Sequence, residues 1–147
     1  MNDALVVEVV RKAVTVDCSV EEAFRIFTAD AISWWPVENH SIHQSVKEIV
    51  FEPHEGGEVY EVSEAGDRGH WATITEWDPP TGFVLAWEVT PAVLGTEVEV
   101  RFLRGEAHTR VELEHRGWER VVEHDPDKRG DYAAGWEVVL GTYAERI

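Results

Sequence analysis

The chain has 147 residues, 44% of them hydrophobic and 29% charged, so we expect one domain, over residues 1–147, with a sizeable core. Its formal net charge of −16 at pH 7 repels phosphate groups, which disfavours nucleic acid and anionic membrane surfaces as partners. The absence of a long apolar run, of a signal-peptide pattern and of a second cysteine favours a cytoplasmic protein without disulfides.

The first predicted elements are a strand and a short helix. Residues 6–16 are rich in valine, which favours extended backbone. Ser19 precedes Glu22 by three positions, and this capping-box pattern predicts a helix over about 20–28. Cys18, just before the cap, is interpreted as a packing residue, because a nucleophilic cysteine would need a lowered pKa.

A second short helix is predicted around two adjacent tryptophans. Asp30 is its candidate N-cap, and the helix would carry Trp34 and Trp35. It would end near Pro36, because proline cannot continue the hydrogen-bonding pattern. Neighbouring residues on a helix point about 100° apart. We therefore expect one of the two rings in the core and the other at the mouth of a cavity.

From residue 45 onward, hydrophobic and polar residues alternate, which predicts strands separated by turns. The six predicted strands cover residues 46–51, 58–62, 70–77, 83–89, 96–103 and 108–115. The last three place apolar side chains on one face and charged side chains on the other, as in an antiparallel sheet with one covered face. Trp71 and Trp77 fall opposite Ala72 and Ile74, a conflict that a β-bulge would resolve.

The C-terminal segment from about Lys128 predicts a long helix that covers the sheet. Asp125–Pro126 is its candidate start. Gly135 and Gly141 lower helix propensity, and either close approach to the sheet or a ligand, or tolerated surface glycine, would explain them. A single apolar stripe follows the spacing of one helix face: Tyr132, Trp136, Val139, Leu140, Tyr143 and Ile147.

Together, a strand, two short helices, six strands and a long helix indicate an α+β fold in which a curved antiparallel sheet grips one helix. Their order and motifs resemble the START-like (SRPBCC, Bet v 1-like) helix-grip superfamily, in the branch related to the activator of Hsp90 ATPase. The resemblance rests on VDCSVEEAFRIFT (16–28), WWP (34–36), FEPHEGGEVYE (51–61), ATITEWDPPTGFVLAWEV (72–89), TEVEVRF (96–102), TRVELEHRGWER (109–120) and GWEVVL (135–140).

The resemblance implies a curved seven-stranded sheet wrapped around the C-terminal helix, with a cavity between them. It does not fix a function, because the branch includes a co-chaperone domain, an enediyne-antibiotic resistance protein and many bacterial proteins without an assigned role.

Aromatic and apolar residues of the predicted inner faces are the candidate ligand-binding residues, since small-molecule cavities are mostly apolar and aromatic. Simple core packing is the alternative for each of them. The candidates are Trp34, Trp35, Tyr60, Trp71, Trp87, Phe102, His115, Trp136, Val139, Leu140 and Tyr143.

Polar residues provide few candidates for chemistry. His115 lies on an inward register, where it could contact a ligand, act as a base or play a structural part. His40 and His43 have a spacing that could hold a metal, but two ligands make no site, so neither a metal nor a cofactor is expected. Gly56–Gly57 precedes a strand, which favours a hairpin turn over a phosphate-binding loop.

Three functions remain as hypotheses. The first is a small-molecule-binding protein that holds a hydrophobic, aromatic or lipid-like ligand in the helix–sheet cavity. The second is a cyclase, hydratase or hydrolase that uses His115 in the same cavity; no catalytic residue is assigned, and an enzyme is the less favoured reading. The third is a protein-interaction module that regulates a chaperone in a stress response, with self-association into a homodimer through exposed tryptophans.

Overall fold

The computed structural model describes residues 9–121 and 127–147, which form seven strands and two α-helices. None of the helices in these two ranges has the length and apolar character needed to cross a membrane. The elements are β1 (Val10–Val16), α1 (Val20–Thr28), β2 (Val46–Phe51), β3 (Glu58–Ser63), β4 (Arg68–Asp78), β5 (Gly82–Trp87), β6 (Thr96–Arg104), β7 (Thr109–Arg116) and α2 (Lys128–Arg146).

The seven described strands form one antiparallel sheet in the order β1-β7-β6-β5-β4-β3-β2. Only β1 joins out of chain order, because it pairs with the last strand, and α2 packs against it. This confirms the predicted α+β helix-grip fold. Two predictions fall partly or wholly outside the described residues. They are the beginning of the first strand and the start of the C-terminal helix at Asp125–Pro126.

The pairing register of β4 shifts twice, once at Trp71 against β3 and once at Thr75 against β5. Each shift is a β-bulge, in which one extra residue reverses the alternation of side chains. As a result Trp71 and Trp77 lie on the same face as Ala72 and Ile74. The bulge that the sequence pattern required is confirmed, and it is in fact two bulges.

The prediction of a second short helix that carries the paired tryptophans is wrong. The chain forms only a 3₁₀ turn at Ala31–Ser33, and Trp34 and Trp35 follow it. Asp30 does not cap this turn through its side chain, because its carboxylate pairs with the guanidinium of Arg146 at 3.0 Å. By contrast, the predicted cap of α1 is present, with the Ser19 hydroxyl accepting a hydrogen bond from the backbone N–H of Glu22.

The core lies between the inner face of the sheet and the two helices. Trp136, Val139, Leu140 and Tyr143 of α2 are all buried, which confirms the apolar stripe. The hydroxyl of Tyr143 donates to the carbonyl of Ala23 at 2.8 Å and so links α2 to α1. The outer face of the sheet carries the charged side chains, as the alternation predicted.

Candidate functional site

A cavity of about 570 Å³ lies between the N-terminal half of α2, the adjoining ends of β4 and β5, and the segment that follows Pro36. We call it the α2 cavity. Its volume is in the range of sites that hold small organic molecules, which is about 300–1,000 Å³. Its aromatic lining consists of Trp35, Trp71, Trp87, Tyr132 and Trp136.

Four of these rings contact one another and form a continuous aromatic wall, here called the tryptophan cluster: Trp35, Trp71, Trp87 and Trp136. The ring centroids of Trp35 and Trp71 are 4.8 Å apart, and those of Trp87 and Trp136 are 5.3 Å apart. Contacts of 6.2 Å join the two pairs. Tilted and edge-on arrangements of this kind are favourable for aromatic rings.

Every indole N–H of the tryptophan cluster already donates to a protein group. Indole has no acceptor and only this one donor. The wall therefore offers apolar ring surface to the cavity and no hydrogen-bond donor of its own. The acceptors are the carbonyl of His40 for Trp35, Glu61 for Trp71, the hydroxyl of Tyr132 for Trp87 and the ring of His115 for Trp136.

Glu61 is a fully buried carboxylate that the sequence analysis missed. It accepts hydrogen bonds from the backbone N–H groups of Ile42 and His43 at 2.7 and 2.8 Å, and from the indole of Trp71 at 2.7 Å. The imidazole Nδ1 of His43 lies 2.7 Å from the same carboxylate. Glu61 thus ties the segment bordering the cavity to β4. Its inward register beside Val59 was the signal that could have identified it.

The pKa of Glu61 reflects two opposed influences. Burial, the largest of them, raises the pKa of the carboxyl group. The hydrogen bonds from the backbone of Ile42 and His43 and from the side chains of Trp71 and His43 lower it, and together they prevail, so the pKa is lower than in water. Glu61 is therefore a buried, fully bonded anion rather than a proton donor.

His115 is also fully buried, and the structure places it behind the cavity wall rather than in the lining. The indole of Trp136 donates to its Nδ1 at 3.0 Å, so Nε2 carries the proton and donates to the hydroxyl of Thr96 at 2.9 Å. Thr96 in turn donates to the carbonyl of Val93. The expectation that His115 contacts a ligand or acts as a base in the cavity is therefore not met.

Burial lowers the pKa of His115 to about 3, which keeps the imidazole neutral. Its two nitrogens are both used to hold Trp136 and β6 in place. Of the alternatives considered from the sequence, the structural one is the role that this geometry supports.

The remaining candidates divide between the cavity and other parts of the molecule. Trp35 lines the cavity, whereas Trp34 is in the core and donates to the carbonyl of Ile26 at 2.8 Å, and the two rings contact each other with centroids 5.2 Å apart. Tyr60 was wrongly placed, because the alternation of β3 turns it to the outer face, where the guanidinium of Arg68 lies 3.9 Å from its ring.

Phe102, Leu140 and Tyr143 are buried core residues and do not line the α2 cavity. Phe102 packs edge-on against Phe24 of α1, at the other end of the core. The structure thus brings together five of the predicted residues at the cavity: Trp35, Trp71, Trp87, Trp136 and Val139.

Polar residues of the lining were not identified from the sequence. The ring of His40 lies beside α2, and its buried Nδ1 has no hydrogen-bond partner within the described ranges. Tyr132 contributes its hydroxyl, and burial raises the pKa of this phenol. The apolar stripe marked Tyr132 as inward-facing, but its place at the cavity, like that of His40, depends on how α2 meets the segment after Pro36.

Neither a metal site nor a reactive thiol emerges from the part of the chain that the structure describes. The imidazole of His43 is hydrogen-bonded to Glu61, and no group of three His, Cys, Asp or Glu side chains in these ranges could hold a metal ion. Burial, and then the charges of Glu22 and Asp17, raise the pKa of the Cys18 thiol, which disfavours a nucleophilic role.

Comparison with known proteins is consistent with this geometry. The family described as activator of Hsp90 ATPase homolog 1-like protein matches residues 17–144. An anthrahydroquino-γ-pyrone synthase, solved as a complex, is 30% identical, with 97% of this chain and 99% of that chain covered and a TM-score of 0.62. No curated protein matches the chain significantly.

Two more distant structures share the fold. The Aha1 dimer from Colwellia psychrerythraea is 15% identical, with 95% of each chain covered and a TM-score of 0.70. CalU16 from Micromonospora echinospora is 20% identical, with 94% of this chain and 73% of that chain covered and a TM-score of 0.64. At these identities the likeness shows the fold alone.

Proposed function

The chain belongs to the activator of Hsp90 ATPase homolog 1-like family, and from that premise we propose that it binds a planar aromatic small molecule in the α2 cavity. The observation that carries the proposal is the tryptophan cluster. Its four indoles have their N–H groups bonded to protein, so they present ring surface on which a flat ligand can stack.

Two further points favour an aromatic ligand over a lipid chain. Four of the residues that line the cavity are tryptophans, and their rigid flat rings suit a rigid flat molecule better than a flexible chain. In addition, the 30% identical structure is described as the synthase of an aromatic pyrone. Polyanionic ligands are disfavoured by the net charge of −16.

Titration with a neutral polycyclic aromatic such as anthraquinone tests the proposal. The ligand should quench tryptophan fluorescence in a saturable way and raise the melting temperature, because it binds only the folded state. Trp87→Phe should weaken binding by about fivefold or more, since a smaller ring replaces one of the indoles on which the ligand stacks. Its matched control is Trp77→Phe, a half-buried tryptophan that does not line the cavity.

Three outcomes would count against this function. They are an absence of saturable quenching, a melting temperature unchanged by the ligand, and equal loss of affinity in the Trp77→Phe control. Each would mean that the α2 cavity is not the binding site.

A second candidate is catalysis of ring closure, and the specific observation in its favour is the 30% identity to a γ-pyrone synthase over nearly the whole chain. Catalysis of this kind would use polar groups that line the cavity, such as His40 and Tyr132, and not His115. A test substrate is an ortho-hydroxyaryl 1,3-diketone. Attack of its phenol oxygen on the distal ketone, followed by loss of water, gives a γ-pyrone that ultraviolet absorbance detects.

Chaperone regulation, a cytoplasmic location and a homodimer remain proposals with narrower support. The family description supports the first, and the dimer from Colwellia psychrerythraea supports the last. The prediction that exposed tryptophans would mediate self-association is wrong, because none of the seven tryptophans is exposed: six are buried and Trp77 is half-buried. Light scattering of the purified protein would determine its oligomeric state.

A further inference from the structure

The hydroxyl of Tyr132 differs from the other donors at the tryptophan cluster. Trp87 donates its N–H to the Tyr132 oxygen across 3.3 Å, and because an indole cannot accept, that oxygen must be the acceptor. The hydroxyl proton of Tyr132 is therefore not used in this contact. Within the described ranges no protein group accepts it.

The ring of Tyr132 is held firmly enough to direct this proton. It packs edge-on against His115, with centroids 5.1 Å apart, and tilted against Trp118 and Trp136 at 5.7 and 6.3 Å. Tyr132 is half-buried and lines the α2 cavity. The phenol is protonated at neutral pH, and burial raises its pKa further. The result is a donor with a fixed position at the edge of an aromatic wall.

We propose that the Tyr132 hydroxyl determines ligand specificity by donating a hydrogen bond to a carbonyl or quinone oxygen on the edge of the bound aromatic molecule. The inference rests on the proposed function, since it requires a ligand stacked on the tryptophan cluster. It narrows the ligand class from planar aromatics in general to those with a ring carbonyl. A donor that a ligand covers without accepting its proton is costly, which is why a hydrocarbon of the same shape should bind less well than its stacking alone would allow.

A pair of neutral probes with the same ring skeleton tests this role: 2-(hydroxymethyl)anthraquinone and 2-(hydroxymethyl)anthracene. Tyr132→Phe keeps the ring and removes the hydroxyl. We expect it to weaken binding of the quinone by about three- to tenfold, the usual worth of one hydrogen bond, and to leave binding of the anthracene unchanged or stronger, because the anthracene no longer leaves that donor unpaired. Tyr60→Phe, on the outer face of the sheet, is the matched control and should change neither Kd.

An infrared measurement on the unaltered protein provides an independent test should Tyr132→Phe fold poorly. A hydrogen bond from Tyr132 should move one carbonyl stretch of the bound quinone to lower frequency relative to the probe in an apolar solvent. The absence of such a band would overturn the role of Tyr132.

The titrations separate failure of this inference from failure of the function. Equal loss of affinity for both probes in Tyr132→Phe, or no loss for either, overturns the specificity role while leaving aromatic binding intact. Failure of both probes to bind the unaltered protein overturns the proposed function and this inference together.

Discussion

Glu61 is the residue on which the segment beside the cavity depends. Glu61→Gln keeps one acceptor oxygen but turns an NH₂ group toward donors, because the carboxylate faces two backbone N–H groups, an indole and an imidazole. We expect the free energy of unfolding to fall by about 2–3 kcal/mol, the cost of leaving buried donors unpaired. Urea denaturation measures this change, and weaker probe binding should accompany it.

The control for this substitution is Glu64→Gln, an exposed glutamate in the turn after β3. It should change the stability by less than about 0.5 kcal/mol. If the two variants were equally stable, Glu61 would not anchor the segment.

His115 predicts a specific pH dependence of stability. Its pKa is about 3 in the folded protein and 6.5 without the protein environment, so between these values the unfolded state binds one more proton. Stability should therefore fall as the pH drops below about 6.5, by up to about 1.4 kcal/mol per pH unit. The window from about pH 4.5 to 6.5 is the one in which this effect dominates, because the contribution of Glu61, whose pKa is lowered, is lost below 4.5, and that of His70, whose pKa is raised, changes above 6.5.

Urea denaturation at several pH values tests this slope. His115→Gln should flatten it, whereas His108→Gln, at an exposed turn position, should preserve it. Nuclear magnetic resonance of the wild-type imidazole should show the neutral form with the proton on Nε2 down to about pH 5. A titrating His115 in the folded protein over this range would refute the assignment.

At the scale of elements, the predictable parts of the fold were those determined by local patterns. The alternation of β5, β6 and β7 and the apolar stripe of α2 each depend on the residues of that element alone. The bulges at Trp71 and Thr75 depend on pairing with two neighbouring strands. Asp30, just before the short 3₁₀ turn that follows α1, likewise pairs with Arg146, a residue 116 positions away that no local pattern connects to it.

The candidate site was predictable in composition but not in position. The α2 stripe is apolar along its whole length. The sequence pattern therefore could not distinguish Trp136 and Val139, which lie beside the cavity, from Leu140 and Tyr143, which lie in the core. Where the cavity lies is set by the segment after Pro36, which meets α2 near Gly135. That meeting depends on Glu61, whose hydrogen bonds with Ile42 and His43 no local sequence pattern predicts.

Substitutions at two glycines of α2 distinguish an effect on the stability of the helix from an effect on ligand binding. A methyl group at Gly141 would lie in open space, whereas one at Gly135 would lie 3.6 Å from the His40 ring, at the cavity wall. Alanine at either position should add about 0.5–1 kcal/mol through helix propensity. Only Gly135→Ala should also weaken binding of the anthraquinone probe, because it narrows the cavity.

Thermal denaturation and fluorescence titration of the two glycine variants provide the comparison, with Gly141→Ala as the control for helix propensity. Unchanged probe affinity in Gly135→Ala would show that the ligand does not approach this part of α2. A loss of stability in Gly141→Ala would show that the helix is not free to accept a methyl group there.

For the molecule as a whole, charge is the dominant physical feature. Acidic residues outnumber basic ones by 29 to 13. Some of the excess is balanced locally: on the outer face of the sheet Arg116 contacts Glu99 at 2.7 Å and Glu114 at 2.9 Å. Burial lowers the pKa of Arg116, but the hydrogen bonds that it donates to Glu99 and Glu114 outweigh this effect and raise the pKa overall. With so few basic residues, most acidic side chains must nevertheless repel one another.

Added salt should therefore stabilise the folded protein, because screening of the many repulsions outweighs the loss of a few ion pairs. We expect the free energy of unfolding in urea to rise by on the order of 1 kcal/mol when sodium chloride increases from about 10 to about 300 mM. A variant with four exposed glutamates replaced by glutamine, at Glu38, Glu55, Glu64 and Glu106, reduces the magnitude of the negative net charge from −16 to −12. This variant should be more stable than the wild type at low salt, and its free energy of unfolding should change less when salt is added. Equal salt dependence of the two proteins would mean that repulsion among surface carboxylates does not limit the stability of this fold.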